Sequence, residues 1–326
     1  MRRREFIAGL GSAAAWPVVA RAQHRTIAVI GVLGDGTPDT QGERYAEIKR
    51  GLSDIGYVEG QNLAIEYLWA GYHADLIPTF AAELVRRQVS LIFVNSTAAA
   101  LAAKAATKTI PIVFSIGVDP VEAGLVANLS RPGGNVTGTY NLNIGVASKR
   151  LELLRELVPG ATSIAYLANS ANAVVVQAET RELQAAARVL GVRLPILNAG
   201  GPSEFEAAFA TLAHEQAGAL LVSSDVFFTD HSNRLVVLAD RHVMPAIYSN
   251  RNAPAAGGLM SYGTNPREVR RQNVSYIGRI LKGEKPADLP AQQVVKIELV
   301  INLKTAKTLG LTIPEALLAT ADEVIQ

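Results

Sequence analysis

Short apolar runs alternate with amphipathic stretches along most of this chain. Thr26 to Leu33 is a nearly unbroken apolar run ending in Gly34-Asp35-Gly36, the pattern of a strand buried on both faces. Helical spacing follows: Thr40 and Glu43 form a capping box, Tyr45, Ile48, Leu52 and Ile55 share one face, and Gly56 stops the helix. The unit recurs with Leu63–Tyr67 as a strand and Leu76, Phe80 and Leu84 as a helix face. Leu91–Val94 is then a strand followed by an alanine-rich helix from Thr97, and Ile110–Phe114 is a fourth strand. Strands alternating with helices at this spacing predict right-handed βαβ units on a parallel sheet.

The pattern restarts after the link Pro132-Gly133-Gly134-Asn135 and a helix through Leu151, Leu154 and Val158. Strands are predicted at Ser163–Leu167, Arg193–Leu197, Ala219–Val222 and Pro245–Tyr248, with helices around Val176–Leu190, Phe205–Leu212 and Leu235–Arg241. The chain then returns to the first lobe through Leu259–Tyr262, into a helix capped by Asn265 and Glu268, opened by Pro266 and ended at Gly283. The expectation is α/β, with two doubly wound parallel-sheet lobes joined by a multi-strand hinge. Residues 23–140 plus about 263–285 form the first lobe and 141–262 the second, with the lobe of 286–326 left open. About 300 residues suit two domains of ordinary size.

The amino end changes the reading of charge. Arg2, Arg3 and Arg4 precede an apolar stretch through Leu10, Ala14 and Val18, and Ala20-Arg21-Ala22 closes it. This is the order of a secretory signal over residues 1–22, with paired arginines ahead of Phe6-Ile7 as in twin-arginine signals. The stretch is interrupted by Gly9, Gly11 and Pro17 and is shorter than the roughly 20 residues of a membrane span. Cleavage after Ala22 takes away four arginines and one glutamate, so the formal net charge passes from +2 to −1. The basic balance of the whole chain is therefore no nucleic-acid signal. With no cysteine, lipid attachment to a cysteine, disulfides and thiolate metal sites are excluded. A soluble periplasmic protein is expected, with no cofactor and no metal.

Eight segments then stand in one order: Gly56–Asn62 (GYVEGQN), Thr107–Phe114 (TKTIPIVF), Asp119-Pro120, Gly124–Val126 (GLV), Pro132–Gly138 (PGGNVTG), Gly257–Gly263 (GGLMSYG), Leu281–Pro290 (LKGEKPADLP) and Asn302–Ala306 (NLKTA). Together they resemble the ABC transporter substrate-binding protein family related to the tryptophan- and tyrosine-binding proteins, over essentially the whole chain after residue 22. The resemblance implies a type I periplasmic-binding fold. It also implies a protein that closes on a small molecule, an amino acid or aromatic amino-acid-like compound, and docks on an ABC permease driven by its ATPase. A monomer without a membrane anchor is the simplest such partner. A ligand sensor for a membrane receptor would share every one of these features, and a periplasmic α/β enzyme is the remaining alternative.

Strand ends name the site candidates independently, because ligands of open α/β sheets sit outside the carboxyl ends of the strands. In the first lobe these are Gly34, Asp35, Ser96, Thr97, Gly117 and Asp119, with Tyr140 and Asn141 on the crossing. In the second they are Asn169, Ser224, Asp225, Tyr248 and Tyr262. The helix opened by Thr97 suits a carboxylate, Asp119 or Asp225 an ammonium, and the tyrosines a ring. Thr97 equally reads as a plain N-cap, Asp119 as the start of a turn before Pro120, Tyr140 and Tyr262 as hinge packing, and Trp69 as core.

Enzyme signatures are missing. Ser96, Ser115 and Ser223 lack the flanking glycines of a nucleophile elbow, and the Gly31–Gly36 loop lacks a dinucleotide or phosphate-loop spacing. The five histidines show no metal-ligand pairing. Ser224, Asp230 and His231 are near one another in sequence, which is not the geometry of a triad.

Overall fold

The computed structural model describes residues 27–141 and 143–326, so the export signal read in residues 1–22 lies outside the described residues. The first half of the chain runs β1 (Ala28–Gly34), α1 (Pro38–Asp54), β2 (Leu63–Trp69), α2 (Ile77–Arg86), β3 (Leu91–Val94), α3 (Thr97–Ala106), β4 (Ile112–Ile116) and β5 (Val136–Asn141). A second series follows: α4 (Ala147–Leu157), β6 (Ile164–Ala168), α5 (Ala173–Leu190), β7 (Ile196–Asn198), α6 (Phe205–His214), β8 (Ala219–Val222), α7 (Val226–Asp230), α8 (Ser232–Arg241), β9 (Ala246–Tyr248), α9 (Asn252–Ala255) and β10 (Met260–Thr264). The chain closes with α10 (Pro266–Leu281), β11 (Gln292–Val294), β12 (Ile297–Asn302), α11 (Leu303–Thr308), α12 (Glu315–Thr320) and β13 (Glu323–Ile325).

Two sheets result. The first has six strands in the order β2-β1-β3-β4-β5-β11, and the second has seven in the order β7-β6-β8-β9-β10-β12-β13. Every pairing is parallel except β10 with β12. The first five strands of each sheet therefore share one winding, and in each the second strand lies on the far side of the first. The crevice of a doubly wound sheet opens at that reversal, between β1 and β3 in one lobe and between β6 and β8 in the other.

Alternation along the strands builds the layers. In the first lobe Ile30, Val32, Leu91, Phe93 and Val113 pack under α1 and α10 with Ile48, Leu52 and Ile277. Leu33, Ile92, Val94, Ile112 and Phe114 face α2 and α3 on the other side. The second lobe repeats this, with Ile164, Tyr166 and Leu221 against α4 and α5, and Ala165, Leu167 and Leu220 against α6 and α8. Both strand rows are apolar, which is why these strands read as unbroken runs.

The lobe boundaries sharpen the expected ones. Residues Met260–Thr264 form a strand of the second sheet rather than a return to the first, because Met260 pairs between Ile247 and Ile301. The crossing falls at Asn265, whose Oδ1 accepts from the amides of Arg267 and Glu268 while its Nδ2 donates to Glu298 at 2.7 Å. The segment after 285 serves both lobes, since β11 extends the first sheet and β12 and β13 the second. Three crossings thus join the lobes. At the amino end of α1, Thr37 is the cap and Thr40 answers it, one turn earlier than the expected Thr40–Glu43 box, because Pro38 opens the helix. No helix among the described residues is long and apolar enough to cross a membrane.

Candidate functional site

A cavity of about 180 Å³ lies between the lobes at the two sheet reversals. From the first lobe it is lined by Asn95, Ser96 and Thr97 after β3, Ser115–Gly117 at the end of β4, Arg44 and Ile48 of α1, and Val269, Arg270 and Asn273 of α10. Asn141, Asn143 and Thr264 line it from the crossings. Asn172, Val175, Ser224, Asp225, Thr229 and Asn250 close it from the second lobe.

On the first-lobe wall, Ser96 caps α3 by accepting from the Ala99 amide at 3.3 Å. The amides of Thr97 and Ala98 precede that bond and carry the positive end of the ten-residue helix. An anion is favoured there.

Opposite stands Asp225, 3% exposed, which caps the short helix α7. Its Oδ1 accepts from the Phe227 amide at 2.9 Å and from Asn169 Nδ2 at 3.1 Å, and its Oδ2 accepts from Asn172 Nδ2 at 2.7 Å. Burial pushes the carboxyl up to about 6, against the pull of those three bonds, and the neighbouring Asp35 adds to the rise. A cation at this wall would relieve that cost.

The turn presenting Ser224 and Asp225 is held from below by Glu179 of α5. This fully buried carboxylate receives Ser223 Oγ at 2.5 Å, the Ser224 amide at 3.1 Å, Tyr166 Oη at 2.8 Å and the buried Arg150 guanidinium at 2.8 Å. A charged, hydrogen-bonded knot thus anchors the loop that carries the second-lobe half of the site.

Beside the cavity a second carboxylate crosses the cleft. Asp230, at the end of α7, accepts from Arg44 at 2.7 Å, Gln41 Nε2 at 2.8 Å and Tyr72 Oη at 3.2 Å, all from the first lobe. Gln41 also donates to Asp35 at 3.0 Å. Around this latch Tyr72 packs edge-on to Phe227 and beside His231, with centroids 5.2 Å away in both cases. Burial raises the Asp230 carboxyl above its ordinary value despite Arg44.

Of the strand-end candidates, Ser96, Thr97, Gly117, Asn141, Ser224 and Asp225 line the cavity. Asn169 does not, but it holds Asp225 in place. Asp35 belongs to the latch, and Gly34 lies beneath it on β1. Asp119 accepts from the amides of Val121 and Glu122, so its carboxylate closes its own turn. The three tyrosines are not among the cavity's lining: Tyr140 and Tyr248 belong to the cores of their lobes, Tyr248 with its Oη buried and without a hydrogen-bond partner among the described residues, and Tyr262 packs against the α4–α5 core. Trp69 stacks on Tyr67 at 5.5 Å and is not among the residues lining the cavity. His231 places Nδ1 2.8 Å from the Phe227 carbonyl, and among the described residues no hydrogen bond joins it to Asp230 or Ser224. Strand ends alone missed Arg44, Asn95, Asn172, Asp230 and Arg270. Asn95 carried a local signal as the next member of the alternating row Leu91, Phe93, and Asn172 as the N-cap of α5, where it accepts from the Val175 amide.

The chain is 29% identical over 263 residues to a tyrosine-binding protein of Clostridioides difficile, covering 80% of this chain and 75% of that one. It superposes with a TM-score of 0.80 on a conserved domain protein of Vibrio cholerae at 30% identity, and equally on an ABC domain from Streptococcus pneumonia in complex with L-Trp at 28% identity. Each alignment covers 92% of this chain and all of the other. Solute-binding proteins at 9–15% identity share the fold alone, with TM-scores of 0.57 to 0.62. The model of one family, described as ABC transporter substrate binding protein, matches residues 27–325, and the chain belongs to that family.

Proposed function

We propose that this ABC substrate-binding protein takes an α-amino acid with an aromatic side chain, holds it between the lobes and hands it unchanged to its permease. The observation that carries the reading is the opposition of charge across one cavity. The amino end of α3 faces it from the first lobe and the Asp225 carboxylate from the second. An α-carboxylate suits the first and an α-ammonium the second. A zwitterion touching both walls draws the lobes together, by no more than its differential affinity for the closed form. The ligands in the names of the Clostridioides and Streptococcus relatives agree with an aromatic side chain.

Export by the twin-arginine-like signal and release as a soluble periplasmic monomer complete the proposal; the amino-terminal residue of the exported protein should be Gln23. A thermal-shift screen of residues 23–326 against the twenty amino acids, aromatic acids and sugars tests the ligand class, since a ligand that binds only the native state raises the melting temperature. Shifts with tryptophan or tyrosine are expected. Shifts confined to sugars would overturn the reading, and turnover of a bound compound would overturn the binding role.

A further inference from the structure

The cavity holds a polar group that nothing in the zwitterion anchor uses. Both polar atoms of the Asn95 side chain, Oδ1 and Nδ2, are buried and have no hydrogen-bond partner among the described residues. Buried carboxamides with neither end satisfied are rare, because each unmade bond forfeits the solvation of its group. A second such atom faces the same cavity: Thr264 Oγ1, on a residue 5% exposed.

Strand alternation fixes the wall to which Asn95 belongs. Leu91 and Phe93 point under α1 and α10, whereas Ile92 and Val94 point under α2 and α3. Asn95 continues the first row and Ser96 the second, so Ser96 caps α3 while Asn95 faces α1 and α10. Ile48, Phe93 and Val269 line the cavity on that side, and Asn273 has its Oδ1 engaged by Thr139 at 2.7 Å, which turns its amide nitrogen to the remaining direction. Arg44 and Arg270 of the same helices also line it, engaged by Asp230 at 2.7 Å and by Glu47 at 2.8 Å, so this end offers apolar surface, two paired cations and an unpartnered donor and acceptor. It matches a side chain with an apolar body and a polar tip.

We propose that Asn95 is the specificity-determining residue for the ligand's side chain, hydrogen-bonding a polar ring atom, the hydroxyl of tyrosine or the indole N–H of tryptophan, so that phenylalanine is rejected. The inference rests on the amino-acid reading above and goes beyond it. Sites built around a hydrogen bond reject the analogue that lacks it, by about 10⁴- to 10⁵-fold in the strongest cases. Only part of that is available in a cleft, and about 10²-fold is expected.

Calorimetric titration of the wild type and of Asn95→Leu with L-tyrosine, L-tryptophan, L-phenylalanine and L-leucine tests it. The wild type should bind the better of tyrosine and tryptophan about 10²-fold more tightly than phenylalanine. In Asn95→Leu that ratio should collapse to within about threefold, with an unliganded melting temperature equal to or above that of the wild type, because no buried amide is left unpaired. A wild-type ratio within about threefold would overturn the proposal while leaving the amino-acid reading intact, and needs no variant. So would selectivity retained in Asn95→Leu, or binding confined to leucine. Failure of every amino acid to bind would remove the amino-acid reading and this proposal with it.

Discussion

Asp230→Asn is the most direct probe of the closed form. All three side-chain donors to this carboxylate come from the other lobe, so the substitution acts on closure and leaves each lobe's own packing untouched. The charged bond from Arg44 is worth about 1.5–3 kcal/mol, and the neutral bonds from Gln41 and Tyr72 about 0.5–1.5 kcal/mol each. Asparagine keeps one acceptor and turns an N–H₂ toward the donors, but it also relieves the burial cost that raises this carboxyl, so the net loss is about 1–2 kcal/mol. The closing equilibrium should fall by about 5- to 30-fold, since each 1.4 kcal/mol is a factor of ten.

Where the open form dominates in the free protein, apparent affinity falls by that whole factor; where the closed form dominates, part of it appears as an opened hinge. The two are separable because the chain has no cysteine of its own. Leu101→Cys on α3 and Val189→Cys on α5, both exposed, place one distance label on each lobe. Titration with L-tyrosine and L-tryptophan, beside the label distance with and without them, reads both quantities. Affinity within twofold of wild type together with an unchanged distance would refute the latch. Tyr72→Phe removes only the 3.2 Å bond and should show a smaller effect in the same direction, about 2- to 10-fold.

Three further outcomes follow from buried groups. Asp225→Asn should weaken amino-acid binding and, relative to wild type, should gain about 3 kcal/mol of unliganded stability between pH 4 and pH 7, because burial lifts this carboxyl from 3.8 to about 6. The stability difference between the two proteins should be constant below about pH 4, grow in favour of the variant between pH 4 and 6 and level off above, and wild-type affinity for an amino acid should fall as pH drops below 6; a difference independent of pH would contradict this. Glu179→Gln leaves the buried Arg150 guanidinium without its counter-charge and should cost about 3–5 kcal/mol by denaturant unfolding. Gly138→Ala would bring a Cβ within 2.1 Å of the Phe114 carbonyl oxygen on the adjacent strand, so a loss of about 3 kcal/mol or more is expected, and a fully stable variant would show that β4 and β5 can separate.

Four strands of each sheet were legible because burial on two faces leaves unbroken apolar runs such as Leu91–Val94 and Ala219–Val222. What was hidden had weaker local signals. Strand β5 reads VTGTYN, and its Thr137 and Thr139 are buried by hydrogen bonds to Leu289 and Asn273, partners more than a hundred residues away. In β12, IELVIN, Glu298 is buried because Arg251 and Asn265 meet it. A polar residue in a strand looks like an interruption until its distant partner is known.

The same limit explains the site. Ser96, Asp225 and the other strand-end residues were found because a doubly wound sheet puts its ligand at the carboxyl ends, a rule that needs only local structure. Arg44 and Asp230 are 186 residues apart, and nothing near either announces the other. Asn95 lies between these cases. Its neighbour Ser96 has a helix to cap, and the strand-end rule stops there. The period of two that places Leu91 and Phe93 in the core carries Asn95 to the same wall, where an amide with no partner has no packing role to explain it. The alternation that buries the core also aims the first side chain beyond it, so a polar residue in that position of a binding-protein strand is a readable sign of what the cleft must hydrogen-bond.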